Sequence, residues 1–163
     1  MNTPQEVQAW KRAGARKPVH AYSWIKIGVK SPQEMQAWAK VGMHNLDAVK
    51  AWTDAGVNTP QEAMGWKSHG YKDPQVIKSW KSIGANDIHD VKSWEKIGCD
   101  LKKAKAYHQA GVEDVNEAQA WNKIRVKKTK LIKAWKQAGI TTPVEAEMWM
   151  RSHIPLPLVA AEW

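Results

Sequence analysis

Four lysines recur at near-constant spacing in this chain: Lys50, Lys78, Lys105 and Lys133 are separated by 28, 27 and 28 residues. An ammonium group offers three donors and a full positive charge, so its chemistry toward a macromolecule is to neutralise phosphates or carboxylates. Repeated at a fixed interval, it makes a ladder for a polyanion. A second concentration, Lys123, Arg125, Lys127, Lys128, Lys130, Lys133 and Lys136, falls within one segment, and no acid occurs between Glu117 and Glu145. These ten residues are the candidate anion- and nucleic-acid-binding set. The formal charge of +9 favours anionic partners in the same sense, although net charge alone governs only solubility and non-specific association.

Other chemistries find less material. The six histidines (His20, His44, His69, His89, His108 and His153) share no common slot, and no H-E-x-x-H or C-x-x-C pattern occurs, so no metal site is expected. A single cysteine, Cys99, provides neither a disulfide nor a thiolate cluster and is expected as a small buried hydrophobe. A recurrent acidic column, Glu6, Glu34, Glu62, Asp90, Glu117 and Glu145, resembles a catalytic set only superficially. Each member stands three residues after a capping residue, where helix capping and the helix dipole account for it. Catalytic carboxylates need environments that drive their pKa values apart, which near-identical copies do not supply. There is no phosphate-binding glycine loop and no recognisable nucleophile setting. The expectation is a non-enzymatic protein without cofactor or metal.

The elements that must position these residues follow from the aromatics. Trp10, Trp24, Trp38, Trp52, Trp66, Trp80 and Trp94 stand 14 residues apart, Tyr107 follows after 13, and Trp121, Trp135, Trp149 and Trp163 resume the step of 14. Glycine follows most of them by four residues, whereas Arg125 and His153 occupy that place in two units. The stretch Ser31–Gly42 shows the grammar of one unit: Ser31 caps, Pro32 suits the first helical position, Glu34 completes a capping box, and Gly42 stops the helix. Alternate units differ, because the acidic column belongs to the odd ones and the lysine ladder to the even ones. The prediction is an all-α protein: an α-solenoid of about twelve short helices over residues 1–163, a single repeat domain whose 14-residue units pair into helical hairpins of 28 residues. The period matches neither the tetratricopeptide nor the ankyrin repeat.

Placed on this frame, the tryptophans form an inner seam rather than a stacking platform, since apolar residues flank them at helical spacing, as in Val7-Trp10-Ala13 and Ile77-Trp80-Ile83. Arg12, Lys40, Lys96, Lys123 and Arg151 fall near helix C-termini, where cations complement the dipole. Residues 123–136 give up the repeat's cap, proline and stop glycine for charge, which is grounds for expecting a function there. Residues 154–163 carry one charge, Glu162, and read as apolar. Three functions are consistent with this pattern. The first is nucleic-acid binding through the ladder and the basic segment. The others are a scaffold for an acidic protein partner or peptide, and head-to-tail self-association through the chain ends. No apolar run is long enough for a membrane span, and the chain opens directly on a repeat, so a soluble cytoplasmic protein without a membrane partner is expected.

Overall fold

In the computed structural model, which describes residues 3–152, eleven helices follow one another without a strand among the described residues. They are α1 (Pro4–Ala13), α2 (Pro18–Lys26), α3 (Pro32–Lys40), α4 (Leu46–Asp54), α5 (Pro60–Ser68), α6 (Pro74–Lys81), α7 (Ile88–Lys96), α8 (Leu101–Gln109), α9 (Val115–Lys123), α10 (Thr129–Gln137) and α11 (Pro143–Arg151). The expected all-α repeat is present. The twelfth unit, ending at Trp163, and the apolar segment 154–163 lie outside the described residues.

Local chemistry sets the helix ends. In α1, α7 and α11 the capping boxes Thr3/Glu6, Asp87/Asp90 and Thr142/Glu145 are complete. In α3, α5 and α9 the carboxylate reaches one residue further back: Glu34 accepts from the Lys30 N–H at 2.8 Å, Glu62 from Asn58 at 3.2 Å and Glu117 from Glu113 at 2.9 Å. The acidic column is thus a set of helix caps, as its position in the first turn suggests. Even helices lack this carboxylate, which explains where the chain tolerates its one deletion. The connection before α8 is one residue short, with Asp100 capping directly after the buried Cys99. The missing residue is the one whose N–H an odd-unit carboxylate would bind, and α8 carries Lys103 in place of that acid.

Each helix of nine or so residues is too short to stand alone. The chain forms two compact units, Met1–Lys81 and Ser82–Trp163. In the first, α1 packs on α3, α3 on α5, and α4 on α6; in the second, α8 packs on α10 and α9 on α11. Within each unit, therefore, odd helices stack on odd and even on even, the two-row packing of a helical solenoid. The slot aromatics from Trp10 to Trp135 are buried and Trp149 is half-buried; the residue after a stop glycine (Ala15, Val29, Met43, Val57, Ala85, Cys99, Val112, Ile140) is buried beside them, except Tyr71, which is half-buried. Tyr107 fills a tryptophan slot and donates its hydroxyl to Asn122 Oδ1 at 2.9 Å. Burial of Trp38 and Trp135 is complete enough to leave both indole N–H groups without a partner among the described residues. Each such group costs about 1–3 kcal/mol, which the burial of so large a ring outweighs.

At roughly 100° per residue, an inward aromatic fixes the rest of the wheel. The residue directly after it lies on the flank facing the helix two units back. The residue directly before it lies on the opposite flank, as Ser23 does in lining a cavity with Asn45 and Leu46 of the α4 start. Residues two places before or after the aromatic point outward from their row.

Candidate functional site

The flank position resolves which cations are structural. Lys67, Lys81 and Lys136 each directly follow a slot tryptophan. Lys67 donates to the Val41 carbonyl at the end of α3. Lys81 donates to the Gly56 carbonyl after α4 at 2.7 Å and to Glu62 Oε1 at 2.6 Å. Lys136 repeats this in the second unit, with the Gly111 carbonyl after α8 and Glu117 Oε1 at 2.7 Å. One ammonium thereby closes the C-terminus of the helix two units back and binds the capping carboxylate of the helix between. Sequence reasoning missed this column. Its mark is legible in retrospect, because Lys81 and Lys136 stand 19 residues after Glu62 and Glu117.

Lys136 belongs to the expected anion-binding set, but its ammonium is occupied inside the repeat, and its side chain keeps only 20% of its exposure. Glu117 is equally committed, since it also accepts from the Trp121 indole N–H at 3.2 Å. Lys136→Met is expected to destabilise the protein by roughly 1–3 kcal/mol, the range for losing charged hydrogen bonds and stranding a half-buried carboxylate. Urea denaturation followed by circular dichroism measures it. No change in midpoint would mean that the clasp is ornamental.

The ladder lysines sit two residues before their aromatics, on the outward side of the even helices. Lys50 and Lys78 occupy α4 and α6 of the first unit and are exposed; Lys133 on α10 is exposed, and Lys105 on α8 is half-buried. Lys50 pairs with Asp54 at 2.6 Å, both more than half exposed, an exchange-prone contact of little net energy. Lys78 and Lys133 have no partner among the described residues. At helix spacings of 8–10 Å, two such charges repel by only about 0.4–0.5 kcal/mol in water, so the column is tolerable without a ligand.

The basic segment divides between the two rows of its unit. Lys123 lies in the last turn of α9, Arg125, Lys127 and Lys128 in the connection, and Lys130 and Lys133 on α10. All six are exposed and none has an anionic partner among the described residues. Because α9 and α10 belong to different rows, Lys123 and Lys133 point outward from different helix layers, while the connection cations lie at the turn between them. The local cost is visible. Lys128 makes no side-chain cap to α10, and Arg125 has φ 65°, the one non-glycine residue with positive φ among the described residues. Where nine other units place glycine, this unit keeps the left-handed turn with a side chain that disfavours it. Arg125→Gly should raise stability by about 0.5–1 kcal/mol, read as a thermal midpoint a few degrees higher, while weakening polyanion binding. A fall in both quantities would show that the arginine supports the fold.

Among the described residues no three His, Cys, Asp or Glu side chains cluster as metal ligands, and no helix is long and apolar enough to cross a membrane. His20 and His44 line the same cavity beside Trp24 and Met35, but no third ligand joins them. Cys99 is buried, and desolvation raises its pKa, the opposite of an activated thiol. On α11, Val144 and Met148 are exposed apolar residues; the chain-end contacts expected from residues 154–163 fall outside the described residues. Comparison with protein-family models, curated proteins and solved structures returns no match.

Proposed function

We propose that this protein is a non-enzymatic helical-repeat module that binds nucleic acid in the cytoplasm through its exposed basic residues, without metal or cofactor. One observation carries the proposal. Lys123, Arg125, Lys127, Lys128, Lys130 and Lys133 are exposed and have no anionic partner among the described residues, while the acids on either side are already engaged. Glu117 is held by Lys136, Trp121 and the Glu113 N–H. Glu145 is held by the backbone and hydroxyl of Thr142, with the Thr141 N–H adding to it, and these hydrogen bonds lower its pKa. A carboxylate held low keeps its cap above the ordinary glutamate range and loses it only as pH falls through the depressed value, so at neutral pH it stays on its own helix. Nothing inside the segment is left to neutralise its cations, and a polyphosphate backbone does so while releasing counterions.

The decisive measurement is a titration of labelled oligonucleotides with the whole protein at 50 and 200 mM salt. With six phosphate contacts on a single strand, the slope of log K against log salt is about −4, and affinity falls roughly 300-fold over that interval. Absence of binding to both DNA and RNA at 50 mM removes the proposal. If the protein instead captures one stoichiometric partner unaffected by nuclease, the scaffold for an acidic protein replaces it.

A further inference from the structure

The first even helix breaks the pattern of the others on its outward face. Where α4 carries Asp47 and Lys50, and α6 carries Gln75 and Lys78, α2 carries Val19 and Tyr22. Val19 is 60% exposed and Tyr22 63%; Ile25, three residues on, is 40% exposed. Tyr22 thus occupies the ladder slot itself. It is also the one exposed aromatic side chain among the described residues, since the tryptophan seam, Tyr71 and Tyr107 are buried or half-buried. Lys26 stands four residues later on the same face of α2 and is exposed. Helices α2 and α4 line a common cavity, and α4 packs on α6, so Tyr22, Lys50 and Lys78 follow one another along a single row of the first unit.

We infer that this row receives single-stranded nucleic acid, with an unpaired base stacked on Tyr22 and successive phosphates held by Lys26, Lys50 and Lys78. The inference rests on the nucleic-acid reading above and narrows it. An aromatic ring amid cations is the combination that single strands require, because every base offers a π-face and every linkage a charge. A duplex hides those faces within its stack and gives Tyr22 nothing to bind. A lipid surface would need a broad apolar face, whereas the row turns from Val19 and Tyr22 on α2 to the charged Asp47, Lys50 and Asp54 on α4 and to Lys78 on α6. The Lys50–Asp54 contact is exposed and yields readily to a phosphate.

The test measures fluorescence anisotropy at 50 mM salt with the full chain and four probes: a labelled single strand, a duplex of the same length, an abasic strand, and anionic phospholipid vesicles. Tyr22→Ala should weaken the single strand by roughly 5- to 150-fold, with Tyr22→Phe restoring most of the loss. The duplex and the abasic strand should be indifferent to the substitution, and the salt slope should stay as in the parent protein. Because Tyr22 is exposed, circular dichroism of the variant should match the parent. If the intact protein binds strands but Tyr22→Ala changes nothing, or if abasic and normal strands lose affinity equally, this inference fails and the broader nucleic-acid proposal survives. Binding of vesicles that depends on Tyr22 overturns it in favour of a lipid surface. Binding of no polynucleotide at all defeats both.

Discussion

Trp66→Ala is expected to lower the stability of the first unit by about 3–5 kcal/mol, the cost of deleting a fully buried tryptophan and leaving a cavity. The ring is 1% exposed and meets Tyr71 edge-on, with centroids 5.7 Å apart. Helix α5 adds only Pro60 and Ala63 to the buried set, so this side chain supplies most of what fastens the helix to its neighbours. Domains of this size hold together by about 5–15 kcal/mol, so one substitution removes a large share. The thermal midpoint should fall by roughly 10–20 °C. Trp149→Ala, at a half-buried site, should lose distinctly less. Far-ultraviolet circular dichroism against temperature or urea reads both; tryptophan emission would confuse the signal, since eleven indoles report at once. If Trp66→Ala cost under 1 kcal/mol, the tryptophan column would have to be reconsidered as a surface for ligands.

The seam was legible because period, cap and stop all speak about one short helix at a time. Ser31 accepting from the Glu34 N–H at 3.1 Å, and Gly42 at φ 83°, are outcomes that a dozen residues determine locally. The lysines were harder for a physical reason. A lysine stem is long, flexible and indifferent to local pattern, so its destination depends on a carbonyl 25 residues away. Lys133 and Lys136, three residues apart on α10, looked alike as charges, yet one points to solvent and the other closes α8. Likewise the glycine slot alone did not reveal that Arg125 would keep the left-handed turn; it marked only a departure from the unit, and the backbone shows that the turn persists despite the side chain. Tyr22 is hard to single out in the sequence because composition counts it among aromatics, while its slot counts it among ladder residues.

Cations on this protein fall into two structural classes, clasped inside the repeat or exposed, and substitution separates them. Lys127→Glu, Lys130→Glu and Lys133→Glu together remove three exposed charges from the second unit and replace them with repulsion. Each phosphate contact on a single strand contributes about 0.7 to the salt slope, hence about 0.9 decade of affinity at 50 mM relative to 1 M. Losing three should make the slope shallower by about 2 and weaken binding at 50 mM by roughly two to three decades. The fold should survive, because Lys130 lies in the first turn of α10, where an acid suits the helix dipole, and Lys127 and Lys133 are solvated. Lys136→Met supplies the opposite signature: lower stability with an unchanged slope, since its ammonium is already bound to Gly111 and Glu117. Anisotropy titrations at four salt concentrations, beside urea midpoints for the same variants, distinguish the two classes. Should Lys136→Met flatten the slope as much as the triple reversal does, the division between internal clasps and outward contacts is wrong, and charge on this chain acts only as a diffuse field.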